Sequence, residues 1–195
     1  MGKTKFIIAG VNDLNVLKYI QELDWSKHIG HDLNVDEYFC FEPMRRLNEF
    51  IHGFDLTQIN AKVNILQKAV WIDDAGVEFR EANDHWSSTC CPTKMTGRFA
   101  KSPYMVESVD FSSWLANNVQ EDDQVIVDMD IECSEYKVLP KLIADGTINL
   151  IDYLSIEWHN RKCGTWFDDE MLHMQRTLHK HVHVLDHDSL GIGGA

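Results

Sequence analysis

Short apolar runs alternate along the chain with segments in which apolar residues recur every three or four positions. A run of four to eight apolar residues that ends at a turn-forming residue is typical of a buried strand, and the longer spacing is typical of a helix that faces a core. The strand-like runs are, in chain order, residues 5–10, 38–41, 63–70, 104–111, 124–130, 150–158 and 181–185. The helical segments are residues 14–23, 44–51, 112–118, 133–144 and 168–179. Strands that alternate with helices predict an α/β fold built on a mostly parallel sheet with helices on both faces.

Three local features interrupt or punctuate this alternation. Residues 70–79 have the pattern of a β-hairpin whose turn is formed by residues 74–76. Residues 81–103 have no clear period, and a loop of that length inside a compact domain is typical of a lid or a binding loop. Asn12 or Asp13 is in position to cap the first helix.

No repeat, low-complexity tract or linker divides the chain, so we predict a single domain over residues 1–195. This length is sufficient for one well-buried core. The first predicted strand begins almost at the start of the chain, and we therefore expect a domain that has been cut from a longer protein.

The charge and the cysteines narrow the range of partners and compartments. The chain has 31 acidic and 18 basic side chains, a formal net charge of −13. Nucleic acids and anionic membranes bind clustered Lys and Arg, so this balance argues against both as partners. An odd number of cysteines without a C-x-x-C pair favours a reducing compartment. Together with the absence of a signal peptide or a membrane-length apolar run, these features predict a soluble, cytoplasmic protein.

Polar or turn-forming residues follow the predicted strands at their carboxyl ends. In parallel sheets, ligands bind in the crevice beyond those ends, so we expect these residues to share one site. They are, in chain order, Gly10, Asn12, Glu42, Asp128, Asp130, Glu132, Glu157 and His159.

The first two strand ends suggest a cofactor, although each also has a simpler interpretation. Gly10 would let the backbone approach a ligand closely, or would form an ordinary tight turn. Glu42 could accept hydrogen bonds from both hydroxyls of a ribose, as a nucleoside-type cofactor requires. Alternatively, Glu42 interacts with the dipole of the helix that follows it.

The acidic strand and its neighbour could carry out proton transfer or bind a metal. If the strand alternates, Asp128 and Asp130 lie on the same face. Asp130, Glu157 and His159 could supply a general base for a hydroxyl proton, or bind a divalent cation such as Mg²⁺ or Mn²⁺. The simpler interpretation is a solvated acidic cluster that caps the next helix.

The remaining histidines and several aromatic residues give weaker signals. Trp86, Trp166 and Phe167 lie in or beside loops where their rings could stack on a sugar, although a tryptophan more commonly packs in a core. The histidines of the last third have no ligand spacing with cysteines, and we expect them to be mostly solvated: His173, His179, His181, His183 and His187.

The segment over residues 127–143, Val-Asp-Met-Asp-Ile-Glu-Cys-Ser-Glu-Tyr-Lys-Val-Leu-Pro-Lys-Leu-Ile, resembles the signature of the FkbM-family methyltransferases. In that family a run such as K-M-D-I-E-G-A-E-Y-E-V-L is characteristic. The resemblance continues to the Glu-Trp-His ending at residues 157–159, and extends more faintly to residues 41–43, 68–71 and 6–12. It covers nearly the whole chain and is most specific over residues 128–159.

This resemblance implies a Rossmann-like class I methyltransferase that uses S-adenosylmethionine to methylate a hydroxyl of a sugar, a glycan or a related natural product. It also implies roles by position. Gly10 and Asn12 would line the methionine end of the cofactor, Glu42 would hold the ribose and Ala69 would lie near the adenine. Asp130 would face the acceptor, with Glu157 and His159 opposite it.

Three positions depart from the family pattern. Ile8 stands where an aspartate is usual, Leu14 replaces a frequent second glycine, and Cys133 replaces the glycine of D-I-E-G. These departures motivate one alternative, a non-catalytic glycan-binding or scaffold module derived from a methyltransferase. The second alternative is a nicotinamide-dependent sugar oxidoreductase, against which the missing G-x-G-x-x-G argues.

Overall fold

A six-stranded parallel sheet forms the centre of the computed structural model, which describes residues 2–12, 14–46, 49, 53–84, 86–99, 102–164 and 168–191. The strands in these ranges are β1 (Thr4–Ala9), β2 (Glu37–Phe41), β3 (Lys62–Leu66), β4 (Ala69–Trp71), β5 (Val77–Phe79), β6 (Tyr104–Val106), β7 (Ser108–Asp110), β8 (Gln124–Met129), β9 (Tyr153–Ile156) and β10 (His183–Leu185). The order in the central sheet is β10-β9-β8-β1-β2-β3, and every neighbouring pair in it is parallel. Chain connectivity therefore runs outward in both directions from β1, as in a Rossmann-like fold.

Helices cover both faces of this sheet. They are α1 (Asn15–Glu22), α2 (Ser26–Ile29), α3 (Phe111–Asn118), α4 (Glu135–Ala144), α5 (Asp168–Leu178) and α6 (His187–Leu190), with 3-10 turns at Leu56–Gln58 and Thr147–Leu150. Successive side chains of β1 point to opposite faces. Phe6 and Ile8 enter the core beneath α1, whereas Ile7 and Ala9 enter the core formed with α3, α4 and α5. The predicted α/β class, with a mostly parallel sheet and helices on both faces, is confirmed.

The predicted hairpin over residues 70–79 is wrong. The strand expected at residues 63–70 divides into β3 and β4. β4 then pairs in parallel with β7, while β5 pairs antiparallel with β6. The turn residues between β4 and β5 do form a bend, with Gly76 at φ +86°, but β4 and β5 find their partners in β7 and β6, which lie well over 20 residues later in the chain.

Residues 81–84 and 86–99 are irregular but packed. Isolated bridges join Arg80 to Thr89, Ala82 to Phe99 and Lys94 to Cys163. Thr89 and Lys94 are buried. The segment is thus fixed against the rest of the domain at several points.

The expected helix cap at Asn12 is also wrong. Helix α1 begins at Asn15, and its N-cap residue Leu14 provides no side-chain cap. The alternative cap Asp13, part of the helix predicted over residues 44–51, and the aromatic residues Trp166 and Phe167 lie outside the described residues. In the described part of the chain, no helix has the length and apolar character needed to cross a bilayer.

Candidate functional site

A cavity of about 620 Å³ opens at the carboxyl ends of β1, β2, β8 and β9. It lies where the chain order reverses on either side of β1, the position at which open α/β sheets bind ligands. We call this edge of the sheet the carboxyl rim. Among the residues that line the cavity are six of the seven predicted site residues: Gly10, Asn12, Glu42, Ala69, Asp130 and Glu157.

The turn after β1 brings the backbone of two strands into close contact. Gly10 has φ +89°, and a Cβ built on it would lie 1.9 Å from the carbonyl oxygen of Asp130. A side chain at this position is therefore excluded by the β8 end as well as by the backbone angle. The Gly10 and Val11 amides both donate to the carbonyl oxygen of Phe41 at 3.0 Å, which fixes the turn against the end of β2.

Glu42 is a buried carboxylate held by the backbone. It accepts hydrogen bonds from the Asn12 amide at 3.0 Å and from the Met44 amide at 2.9 Å. Burial raises the pKa of Glu42 to about 7, although the two amides oppose that effect. A carboxylate has about four acceptor sites, so Glu42 can accept further hydrogen bonds from a ligand in the cavity.

Ala69 and part of the irregular segment also line the cavity. Ala69 begins β4 and is buried beside the cavity. Trp86 also lines the cavity, yet 55% of its surface is exposed. A large indole ring at the mouth of a cavity is available for stacking on a ligand.

Two carboxylates with opposite electrostatic surroundings face the same cavity. Burial raises the pKa of Asp130 well above its ordinary value, an effect that the positive charge of His159 opposes. The contact with His159 instead lowers the pKa of Glu157 to about 2. Asp130 is therefore the stronger base of the two, because its carboxylate is the more destabilised.

His159 lies behind these carboxylates and is fully buried, and it is not among the residues that line the cavity. Its Nδ1 lies 3.0 Å from Oε1 of Glu135. Its Nε2 lies 3.3 Å from Glu157, 3.5 Å from Glu132 and 3.6 Å from Asp130.

Four carboxylates around one imidazole favour its protonated form. Burial would lower the pKa of His159, but the carboxylates, with Glu135 contributing most, raise it to about 10. At neutral pH the ring is then an imidazolium that cannot accept a further proton. This electrostatic environment favours a role for His159 as a fixed positive charge and not as the base.

The predicted metal ligands do not form a compact set. Within the ranges that the structure describes, the group of three side chains whose potential ligand atoms all lie within 4.8 Å of one another is Asp130, Glu135 and His159. Glu157, which the sequence suggested, is not part of that group. Nδ1 of His159 is occupied by its hydrogen bond to Glu135. Nε2 faces the carboxylates of Asp130, Glu132 and Glu157, an environment that suits a protonated nitrogen.

The sequence did not point to several residues that complete the site. Lys94 is buried and donates to Glu132 at 2.5 Å, while Lys162 lies 3.3 Å from the same carboxylate and lines the cavity. His187, expected to be solvated, is buried and lies 3.6 Å from Asp128. His183 on β10 and His181, which precedes that strand, are exposed, as predicted. Only the packing of α6 over the sheet could have distinguished His187 from them.

Of the three departures from the family pattern, one lies at the cavity. Ile8 lines it with an apolar side chain. Leu14 is buried in the core beneath α1 and is not among the lining residues. Cys133 packs against Cys91, Cys163 and Tyr136 on the far side of the acidic residues. Leu14 therefore does not reduce the space available in the cavity.

Comparisons of this chain with protein-family models, with curated proteins and with solved structures find no match. The resemblance to FkbM-family methyltransferases thus rests on the sequence segments quoted above, and the family assignment stays a prediction.

Proposed function

We propose that this chain is an S-adenosylmethionine-dependent O-methyltransferase of the FkbM type that acts on a hydroxyl of a sugar or glycan. One observation carries the proposal: a single cavity at the carboxyl rim is lined both by the residues expected to bind the cofactor and by Asp130 and Glu157. Those cofactor residues are Gly10, Asn12, Glu42 and Ala69. They come from three separate parts of the chain, and nothing in their spacing alone would require them to meet.

The cavity suits the proposed cofactor in size and charge. Its volume of about 620 Å³ is within the range of small-molecule and cofactor sites. Glu42 has acceptor capacity left for the two hydroxyls of a ribose. Acidic residues outnumber basic ones along the wall, which favours a cationic ligand: Glu42, Asp128, Asp130, Glu132 and Glu157 against Lys162 and His187. When bound, the cofactor supplies a methyl group on a positively charged sulfonium.

Asp130 is the residue that we propose as the proton acceptor. A sugar hydroxyl is a poor nucleophile at neutral pH and must lose its proton as it reacts. Asp130 lines the cavity and its raised pKa makes it a stronger base than an ordinary carboxylate. The His159 imidazolium, 3.6 Å away, would hold the Asp130 side chain in place and stabilise its charge.

The predicted set of metal ligands does not fit a shared cation. Glu157 is outside the compact group, which consists of Asp130, Glu135 and His159. We therefore assign no step to a metal, and the proposed reaction depends on Asp130 alone for proton removal.

A sugar acceptor is supported by Trp86. Its half-exposed ring lies at the wall of the cavity, and aromatic faces commonly pack against the apolar faces of sugar rings. Replacing Trp86 with Ala should raise KM for a sugar acceptor while it leaves the affinity for S-adenosylhomocysteine unchanged.

Titration calorimetry with S-adenosylhomocysteine tests the proposal most directly. We expect saturable binding by the wild-type chain and weakened binding by Glu42→Gln, with the exposed Glu107→Gln as the matched control. A screen of sugar acceptors with labelled S-adenosylmethionine would then identify the substrate. No heat on titration would contradict the proposal and favour a non-catalytic module, and a fluorescence change with a reduced nicotinamide cofactor would favour an oxidoreductase.

A further inference from the structure

Three cysteines from distant parts of the chain meet on the far side of the acidic residues. Cys91 and Cys163 place their sulfur atoms 3.9 Å apart, and Cys133 belongs to the same buried cluster. The antiparallel bridge between Lys94 and Cys163 holds the backbone of the two segments together. The two sulfur atoms need to approach by only about 2 Å to reach the length of a disulfide bond.

Cys163 is reachable from outside although it is largely buried. It lines a second cavity of about 430 Å³, together with Met95, Asn160, Arg161 and Gly164 among others. A small neutral oxidant such as hydrogen peroxide could enter a cavity of that size. Cys163 is thus the cysteine of the cluster that lines a cavity of sufficient size for a peroxide.

Cys91 has the surroundings of a reactive thiol. Hydrogen bonding from Cys133 in particular, with further contributions from Thr93 and Cys163, lowers the pKa of Cys91 to about 5 despite its burial. Low-pKa thiols are the ones that react with oxidised sulfur. Burial instead raises the pKa of Cys40 to about 12, as is usual for a structural thiol in a core.

The backbone at Cys133 supports a specific role for its side chain. Its φ of +80° lies in the left-handed region, which glycine adopts without cost and cysteine does not. Strained residues of this kind are found preferentially at functional sites.

We propose that Cys91 and Cys163 form an oxidant-sensitive thiol pair that a peroxide converts to a disulfide. The peroxide transfers one oxygen to the Cys163 thiol, which gives a sulfenic acid and releases water. The Cys91 thiolate then attacks that sulfur, forms the S–S bond and expels hydroxide, which takes up the proton that Cys91 had released. In sum, two thiols lose their hydrogens and one peroxide is reduced to two waters.

The bond would join two segments that contribute to the functional cavity. Cys91 directly follows residues 86–90 and Cys163 directly follows Lys162, and all of these preceding residues line that cavity. Formation of the disulfide should therefore fix the irregular segment against the chain that follows β9. We expect the oxidised protein to have a melting temperature several degrees higher, an effect that dithiothreitol reverses.

The test is to treat the intact, folded chain with hydrogen peroxide and to measure its mass without reduction. We expect a loss of about 2 Da that dithiothreitol restores. Peptide mapping should join the peptide that contains Cys91 to the one that contains Cys163. Cys91→Ser and Cys163→Ser should each abolish the loss of mass, whereas Cys90→Ser and Cys40→Ser, the controls for buried thiols elsewhere, should retain it.

Two outcomes would overturn the proposal. One is a wild-type chain that keeps all its thiols, or that forms a disulfide through Cys40 or Cys90. The other outcome combines two variants: Cys163→Ser still loses about 2 Da, and Cys133→Gly does not. The partner of Cys91 would then be Cys133 and not Cys163. Our expectation for Cys133→Gly is the same Cys91–Cys163 disulfide, formed several-fold more slowly. Because the readout is the mass of the chain, the inference does not depend on the proposed methyl transfer.

Discussion

Charged side chains are buried at both ends of the strands in the central sheet, but the described residues at the two ends satisfy these charges differently. At the amino ends of the strands, which we call the amino rim, the buried Lys5 ammonium binds the Asp123 carboxylate and the carbonyl oxygen of Asn118. Glu37 is paired with Lys3, and Asp152 accepts a hydrogen bond from the Val125 amide at 2.7 Å.

At the carboxyl rim, acidic groups are in excess and several polar atoms have no hydrogen bond within the described residues. Oδ1 of Asp130 and Nε2 of His159 are buried without a hydrogen-bond partner, although they lie 3.6 Å apart. Oε2 of Glu135 is in the same state. Buried polar groups normally find partners, and groups that lack one are found at catalytic positions and at positions that bind water or an ion.

Buried charges therefore have different roles at the two rims of one domain. Saturated pairs at the amino rim hold the ends of β1 and β8 together. Under the proposed function, the unsaturated carboxyl rim would hold the base Asp130 and the positively charged His159 beside the ligand cavity. The two rims should therefore respond in opposite ways to loss of a carboxylate.

The largest effect is expected from Asp130→Asn at the carboxyl rim. Loss of a positioned general base commonly lowers the rate of reaction by roughly a hundred- to ten-thousand-fold. Binding of S-adenosylhomocysteine should be retained, and stability should be unchanged or higher because burial of a charge is avoided. Labelled methyl transfer, calorimetry and thermal unfolding measure the three quantities, with the exposed Asp145→Asn as the control. Full methyl-transfer activity in Asp130→Asn would refute the assignment.

The converse substitution at the amino rim is Asp123→Ala. It leaves the buried Lys5 ammonium without its carboxylate and removes the acceptor for the Lys3 and Gln120 amides. Breaking a buried ion pair in this way costs about 3–5 kcal/mol of stability. Urea unfolding should show that loss, while the affinity of the folded protein for S-adenosylhomocysteine stays at the wild-type value. An equal loss of stability in Asp130→Asn would remove the distinction between the rims.

A smaller effect, which depends on pH, is expected at Glu42. Its pKa of about 7 in the free protein means that a ligand hydroxyl, which donates to the carboxylate, must bind the ionised form. Binding then displaces a proton, so affinity for S-adenosylhomocysteine should rise as pH increases from 6 to about 7 and level off above it. Glu42→Gln should bind roughly tenfold more weakly and without that trend. If Glu42→Gln keeps the wild-type pH profile, Glu42 is not the titrating group. Glu107→Gln, the control, should keep that profile.

The sequence was sufficient where structure is decided by neighbouring residues. The apolar runs before Gly10, Glu42 and Asp130 are strands β1, β2 and β8, because continuous apolar residues suit a strand buried on both faces. The parallel arrangement then brings the ends of those strands to one edge. This is why residues as distant as Asn12 and Glu157 could be predicted to share a site.

The sequence was insufficient where long-range packing decides. The hairpin prediction failed because turn residues specify a bend but not the partner of each flanking strand. Likewise, no local pattern separates the buried His187 from the exposed His183, since His187 is buried where α6 packs beside Asp128, whereas His183 lies on β10. The burial of His159 depends on carboxylates from two segments, residues 130–135 and Glu157, and sequence spacing did not connect Glu135 to it.

The smallest effect is expected from removal of divalent cations, and it bears on the chemistry of the unsaturated rim. The proposed reaction removes the acceptor proton through Asp130, with the positive charge of His159 lying 3.6 Å from it, and assigns no step to a metal. We therefore expect methyl transfer to survive exhaustive chelation, and added Mg²⁺ or Mn²⁺ to leave the rate unchanged. If chelation abolishes transfer and one of these cations restores it, the imidazolium is not the charge that the reaction uses, and the unsatisfied atoms of Asp130 and His159 would instead be metal ligands.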